Sequence, residues 1–236
     1  MSLLLTIQDA SAQLSGAMPD LSTVQQPSVA HINAFDLALK GGWIMIPIAL
    51  LLFIAIAIFI ERVLVIKKAE QEDQSFMHRI KDYIHEGKIS SAINLCKSTD
   101  TPYSRMIEKG ISRLGRPMND VQVAIENVGN IEVAKLEKGF VWVATAAGTA
   151  PMLGFLGTVT GMVRAFFDMA NAGSNVDITL LSSGIYEALV TTVAGLIVGI
   201  IAMFAYNYLT AEVTGVVNKM EARSMEFMDL LNEPTN

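Results

Sequence analysis

Residues 139–163 read GFVWVATAAGTAPMLGFLGTVTGMV and contain no charged side chain. Two more uncharged stretches occur in the chain, Gly41–Ile60 and Ala188–Ala211. A hydrocarbon core about 30 Å thick needs about 20 helical residues to cross it, and each stretch is at least that long. The sequence therefore predicts transmembrane helices at residues 41–60, 139–163 and 188–211, and an all-α membrane protein as the fold class.

The three stretches differ in the side chains they carry. Gly41–Ile60 is rich in Leu and Ile, as expected of a helix that faces lipid, whereas the other two are crowded with Gly, Ala and Thr. Small and hydroxyl-bearing residues let transmembrane helices approach each other closely. The whole chain is 52% hydrophobic with a mean hydropathy of +0.43, which is high for a soluble domain. We therefore expect one lipid-facing helix and two helices that line something internal.

The positions of Lys and Arg predict how the chain lies across the membrane. Basic residues follow the first span and precede the second: Arg62, Lys67, Lys68, Lys135 and Lys138. Loops rich in these residues stay in the cytoplasm, so residues 61–138 are predicted to form a cytoplasmic helical domain and residues 212–236 a cytoplasmic helix and tail. Residues 1–40 become an outer N-terminal arm with a short amphipathic helix that Asn33 caps. Residues 164–187 become a short outer turn and the start of the third helix.

The predicted cytoplasmic segment carries the signals of several helices. An apolar stripe ends at Gly87, which is expected to terminate its helix, and a second short helix follows. Pro102 is expected to open a third helix that stops near Gly115. Asn119 or Asp120 then caps a run without proline, which predicts one unbroken helix that continues into the second span. The third span also continues beyond the bilayer, so we expect long helical extensions packed into a single domain.

A single acid, Glu187, stands at the head of the third uncharged stretch. A charged acid at bilayer depth costs about 2.5–3.5 kcal/mol on insertion scales, so such a residue usually faces a polar interior. Gly184, Thr191, Gly195 and Gly199 lie at helical spacing around it and predict one continuous small and polar face. No Lys or Arg within the predicted spans is available to neutralise the acid. Glu187 is therefore predicted to exchange protons; the alternative is an interfacial residue that caps the helix or reaches the headgroups.

Glycines and threonines supply the remaining site residues. Close contact between helix backbones is predicted at Gly154, Gly157, Gly161, Gly195 and Gly199. Hydroxyl groups for a proton path are predicted from Thr158, Thr191 and Thr192. On an ideal helix Thr192 lies about 140° from Glu187 whereas Thr191 lies directly below it, so spacing does not choose between the two. The alternative is ordinary helix packing, with each hydroxyl bonded to its own helix.

Several function classes find no support in the sequence. Cys96 is the single cysteine, which predicts a packed or partly exposed thiol and neither a disulfide nor a metal cluster. The 3 histidines are isolated from one another, and Arg164 and Asp168 are predicted to be a solvated pair. The net charge is −6 and basic residues alternate with acids, which predicts solvated helix faces and no nucleic-acid surface. We expect no enzyme activity, no cofactor and no metal.

Three motifs resemble one known family. They are LKGGWIMIP at residues 39–47 with Glu61-Arg62, TAAGTAPMLGFLGTVTGM at residues 145–162, and GIYEALVTTVAGL at residues 184–196. With the three predicted spans, they resemble the ExbB/TolQ/MotA family of proton-channel stators over most of residues 33–215. Three spans are typical of ExbB and TolQ members, since the flagellar members have four, and the first two motifs are closer to ExbB.

The resemblance implies a function, partners and a location. Members form pentamers whose second and third helices line a central pore around the single helices of two ExbD-like subunits, each with an essential Asp. Proton flow past that Asp drives a TonB-like protein across the periplasm. By motif position, Glu187, Thr158 and Thr192 are the pore residues of this chain. The implied location is the bacterial inner membrane and its lipid, with a periplasmic N-terminus and a cytoplasmic C-terminus.

Three other functions compete with this interpretation. A TolQ-like motor for outer-membrane integrity is the nearest alternative. A non-conducting structural scaffold would leave Glu187 inert. A secondary transporter is the third, but three spans without inverted halves give one chain little room for a midplane substrate site.

Overall fold

The computed structural model describes residues 42–71, 73, 75–171 and 178–232, with side chains described from residue 181 onward in the last range. The helices in this part of the chain are α1 Met45–Glu70, α2 Phe76–His85, α3 Ile89–Thr99, α4 Pro102–Ile111, α5 Met118–Leu136, α6 Phe140–Asn171 and α7 Ile178–Asn232. No strand occurs among the described residues, and the predicted all-α class is confirmed. The predicted N-terminal arm and its Asn33 cap lie outside the described residues.

Helices α1, α6 and α7 are each long and apolar enough to cross a membrane, which confirms the predicted three-span membrane protein. The apolar stretch of α1 is the least buried of the three, as expected of a helix that faces lipid. The three helices meet where the methyl groups of Ala55, Ala146 and Ala202 pack together. Small side chains at this crossing let all three backbones approach one another.

Helices α6 and α7 form an antiparallel pair. Gly161 lies against Ala188, Gly154 against Gly195 and Pro151 against Gly199, so residue numbers fall along α6 as they rise along α7. We call this α6–α7 contact the seam. It is packed backbone to backbone, because a Cβ built on Gly195 would stand 2.5 Å from the carbonyl oxygen of Ala150.

A separate hydrophobic core lies mostly beyond the apolar stretches and draws side chains from all seven of the described helices. Its buried members include Ile66, Ile80, Ala92, Ile107, Ile125, Phe140 and Phe227. An ion pair between Lys219 of α7 and Glu70, 2.9 Å apart, also joins α7 to the end of α1. We call this part the helical domain. Cys96 is fully buried in it, and burial raises the pKa of its thiol to about 12, so the predicted packed thiol is confirmed.

Local sequence signals set several helix ends in the helical domain. Gly87 has φ +69°, its N–H donates to Ile84 O at 3.1 Å, and the N–H of Lys88 donates to Tyr83 O at 2.8 Å. This is a Schellman motif, in which a glycine just past the helix takes the left-handed conformation. Pro102 occupies the first turn of α4, as predicted, behind a capping box made by Thr101. Helix α4 ends at Ile111, slightly before the predicted end.

Two predictions about α5 are wrong. The helix does not run into the second span, because the helical conformation is interrupted at residues 137–139 and Gly139 has φ +90°. Leu136 and Phe140 both enter the core of the helical domain, and the corner between them brings both side chains inward. The N-cap is Pro117, so Asp120 lies within the first turn and neither predicted residue caps the helix. In contrast, α7 is continuous from Ile178 to Asn232.

Candidate functional site

The glycines of the seam occupy positions where a side chain would strike the opposite helix. A Cβ on Gly154 would stand 2.9 Å from Thr191 O, and one on Gly184 would stand 2.7 Å from the Cβ of Ala165. Gly157 lies directly against the Thr191 side chain. All five glycines that the sequence indicated for helix packing therefore lie in the seam. The short distance between the backbones allows side-chain hydroxyls to reach carbonyls of the opposite helix.

Thr158 on α6 and Thr192 on α7 face each other along one edge of the seam, and their hydroxyl oxygens are in direct contact. Thr192 Oγ1 lies 3.0 Å from Gly154 O and Thr158 Oγ1 lies 3.2 Å from Ala188 O, so each hydroxyl is within hydrogen-bonding distance of a carbonyl of the opposite helix. The distances from these hydroxyls to carbonyls of their own helices are longer, 3.4 Å in both cases. Bonding confined to each threonine's own helix, the packing alternative, is therefore not what these two residues do.

Thr191 has a different environment from its neighbour. Its side chain is 1% exposed, it packs against Gly157, and its hydroxyl donates to Ala188 O at 2.7 Å. The sequence left open which of Thr191 and Thr192 shares a surface with Thr158. In the structure Thr192 is the partner of Thr158, while Thr191 lies inside the seam.

Glu187 lies on the opposite edge of the seam from the Thr158–Thr192 pair. Its carboxylate abuts Gly42, which has φ +65° and leads into α1, and a Cβ at that position would overlap the carboxylate. The acid lines a cavity of about 300 Å³ enclosed by the start of α1, α6 and α7. Thr191 also lines this cavity, but neither Thr158 nor Thr192 does. We call it the acid cavity.

Gly184 and Thr191 of the predicted small and polar face line the acid cavity together with Glu187. Gly195 and Gly199, further along the same helix, pack against α6. Arg164 and Asp168, which follow the second predicted span and are both exposed, also line the acid cavity. Sequence reasoning placed these two at a solvated end of α6 and did not connect them with α7. Polar groups in the cavity also come from Thr160 and Ser183, so its lining is suited to water and to a proton.

A second group of charges, missed by the sequence interpretation, lies in the helical domain. Glu132 is 3% exposed and bonds Arg105 at 2.6 Å and Lys135 at 2.7 Å. Burial opposes its ionisation, but hydrogen bonds from both cations outweigh burial and lower its pKa. Arg62, at the end of the first apolar stretch, donates to Lys135 O at 3.1 Å. The alternating charges predict solvated faces, and at Glu132 this prediction is wrong.

No three His, Cys, Asp or Glu side chains come together as metal ligands within the described part of the chain. The arrangement that remains is an acid in a polar cavity, a pair of hydroxyls on the other edge of the seam, and Thr191 between them. Carboxyl and hydroxyl groups can exchange or orient protons. In the described part of this site, no hydroxyl is paired with a base in the way that is typical of covalent catalysis.

The chain is similar in sequence to proteins named ExbB homolog, ExbB-like and TolQ. A putative biopolymer transport protein ExbB homolog of Methanothermobacter thermautotrophicus is 31% identical over 142 residues, which is 60% of this chain and 50% of that protein. An ExbB-like protein of Synechocystis is 28% identical over 200 residues, 84% of this chain and 77% of the relative. The Tol-Pal system protein TolQ of Haemophilus influenzae is 27% identical over 203 residues, 79% of this chain and 88% of the relative.

A family description covers the same region of the structure. The sequence model of the MotA/TolQ/ExbB proton channel family matches residues 98–222, which is just over half of the chain. That range includes α4 to α7 in whole or large part, and with them the seam, the hydroxyl pair and the part of the acid cavity that α6 and α7 line. With its three apolar helices and this match, the chain is a membrane protein and belongs to the MotA/TolQ/ExbB proton channel family.

Proposed function

We propose that the chain is the proton-conducting stator subunit of an ExbB-type motor in the bacterial inner membrane. The observation that carries the proposal is the seam itself, with Glu187 in the acid cavity on one edge and Thr158 hydrogen-bonded to Thr192 on the other. An acid and reorientable hydroxyls at the depth of the apolar stretches are costly to place there and mark proton paths in membrane proteins.

The outer faces of α6 and α7 support assembly into a ring. Phe155, Val159 and Leu196, close to the hydroxyl pair, are between 45% and 67% exposed in the single chain. A surface that carries apolar side chains beside polar hydroxyls packs better against other protein helices, which offer both apolar and polar groups, than against lipid. We propose a homopentamer whose α6 and α7 surround the single helices of two ExbD-like subunits.

The energy source is the proton motive force. One elementary charge that crosses 100 mV releases about 2.3 kcal/mol, so useful work on a TonB-like protein needs several protons in succession. In this proposal the helical domain and the end of α7 are cytoplasmic and the N-terminus is periplasmic. The cargo is a solute imported through the outer membrane, such as an iron-siderophore complex or a vitamin. The subunit performs no covalent chemistry.

A TolQ-like motor for outer-membrane integrity is the second candidate. Its support is the relative named TolQ, which is 27% identical over 79% of this chain. Deletion of the gene separates the two: impaired iron import supports the ExbB-type role, and leakage of periplasmic proteins supports the TolQ-type role.

Proton flux in liposomes tests the proposal. The complex with a single-span partner is reconstituted, a potassium diffusion potential is imposed, and internal pH is followed with a dye. Glu187→Gln should abolish flux and leave the native mass of five copies plus two partner chains unchanged. Glu221→Gln, an exposed acid of the same helix in the helical domain, is the matched control and should conduct normally. Normal flux in Glu187→Gln would leave the non-conducting scaffold as the better interpretation, and a monomer would remove the pore.

A further inference from the structure

Three threonine hydroxyls converge on one carbonyl oxygen in the seam. Thr191 Oγ1 lies 2.7 Å from Ala188 O. Thr158 Oγ1 and Thr192 Oγ1 lie 3.2 Å and 3.4 Å from the same oxygen. The main-chain N–H of Thr192 also points at it, because residue i donates to residue i−4 in an α-helix. A carbonyl oxygen has two lone pairs, so these donors compete and the hydroxyls cannot all bond it together.

The Thr158–Thr192 pair has two ways to arrange its protons. In the first, Thr192 donates to Gly154 O, at 3.0 Å, and its own oxygen accepts the proton of Thr158. In the second, Thr192 donates to Thr158, and the proton of Thr158 is directed to Ala188 O at 3.2 Å. The two arrangements run in opposite directions across the seam. Only the second uses Ala188 O, which is the nearer acceptor for Thr158, since Gly154 O lies 3.4 Å away.

Thr191 determines whether Ala188 O is available. Its bond is the shortest of the three to that oxygen, and while it holds, the first arrangement is favoured. Thr191 also lines the acid cavity with Glu187. A threonine in a helix divides between two χ1 rotamers, so a rotation can release Ala188 O, and the second arrangement then becomes favourable.

We propose that Thr191 sets the direction in which the Thr158–Thr192 pair donates, and so couples the pair to the acid cavity. When one hydroxyl oxygen takes up a proton from water and the other hydroxyl gives its own proton to an Asp carboxylate of the ExbD-like partner, the pair is left in the reversed arrangement and must turn before it passes the next. When the Thr191 hydroxyl releases Ala188 O and then bonds it again, the pair reverses its direction of donation and returns. No proton passes through Ala188 O, which only accepts, so Thr191 is a positioning residue. The inference rests on the proposed function of Glu187 and the pair.

The flux assay on the complex with its single-span partner tests the role of the hydroxyl. Thr191→Val keeps the branched shape and removes the hydroxyl, and Thr191→Ala removes it with less bulk in case valine disturbs assembly. Loss of one hydrogen bond is worth about 0.5–1.5 kcal/mol, so both variants should conduct about two- to thirteenfold more slowly. Thr191→Ser should stay within about twofold of the parent protein, because it retains the donor. Thr149→Val, at an exposed threonine bonded to Thr145 O, is the control and should conduct normally.

A double variant distinguishes coupling from packing. If Thr191 acts through the pair, Thr191→Val should cause no further loss in a Thr158→Val background, whereas independent effects would multiply. Multiplied losses, normal flux in the valine and alanine variants, or a serine variant as slow as valine would each overturn the inference. These results are separable from failure of the proposed function, since that requires normal flux in Glu187→Gln.

Discussion

Gly195→Ala tests whether the close approach of α6 and α7 holds the hydroxyl pair together. The added Cβ would stand 2.5 Å from Ala150 O and 2.9 Å from Gly154 Cα, and both are main-chain atoms that cannot swing aside. Ordinary contacts begin near 3.4 Å. The helices must therefore separate by about 1 Å at this level or retain the overlap.

Either response has a definite energy. Retained overlap costs about 1–3 kcal/mol, as other overpacked sites do. A separation of about 1 Å would take the 3.0 Å bond from Thr192 to Gly154 O beyond hydrogen-bonding range. Two cross-seam bonds at about 0.5–1.5 kcal/mol each would then be lost, a similar total. We expect Gly195→Ala to destabilise the protein by about 1–3 kcal/mol and to reduce proton flux with the partner.

Gly148→Ala is the matched control, because a Cβ on Gly148 of α6 meets nothing within 4 Å. It should leave flux unchanged and should stabilise the helix slightly, since alanine is the better helix former. Both variants are compared by thermal melting in mild detergent, followed by tryptophan fluorescence, and by liposome flux. A Gly195→Ala protein as stable and as conductive as Gly148→Ala would refute the argument that the seam positions the pair.

Other consequences of the structure concern the helical domain. Glu132→Gln should destabilise it by about 1–3 kcal/mol by weakening charge-assisted bonds. Because the pKa of Glu132 is lowered on folding, its stabilising contribution exists at neutral pH and is lost as pH falls below the ordinary value of 4.5 and through the folded-state pKa; melting curves from pH 7 to pH 3 should converge for parent and variant. Cys96 should resist maleimide at pH 8 in the folded protein, because burial raises its pKa to about 12, while Ser98→Cys on the exposed face of α3 should react at once. Gly139→Ala should cost about 1–2 kcal/mol at φ +90°, measured by melting against Gly215→Ala, where nothing lies within 4 Å.

Local chemistry made some features of the fold predictable and left others out of reach. Gly87 and Pro102 act within one helical turn, so their neighbours in sequence suffice to predict a helix end and a helix start. Gly139 looks like an ordinary glycine in an apolar helical run, and such residues are tolerated inside helices. Its left-handed conformation follows from the need to turn both Leu136 and Phe140 into one core, which depends on helices distant in sequence.

The same distinction applies to the candidate site. Helical spacing places Thr191 and Thr192 in different directions around α7, but it does not say which of the two pairs with Thr158 on α6. Glu187 turns towards Gly42, and that direction depends on where the start of α1 lies. Arg164 reaches the acid cavity from another helix. Contacts between helices of this kind cannot be predicted from the hydrophobic periodicity of a single segment.

From the sequence, the glycines and threonines could serve either close helix packing or proton transfer. In the structure the two roles depend on each other. The hydroxyl of Thr192 reaches Gly154 O at 3.0 Å only because residue 154 has no side chain and Gly195 lets the backbones meet. Larger residues would hold α7 away, and each threonine would then bond its own helix, as isolated transmembrane threonines do. The glycines are therefore a condition for the cross-seam pair as well as for the stability of α6 against α7. A substitution that widens the seam should therefore lower stability and flux together.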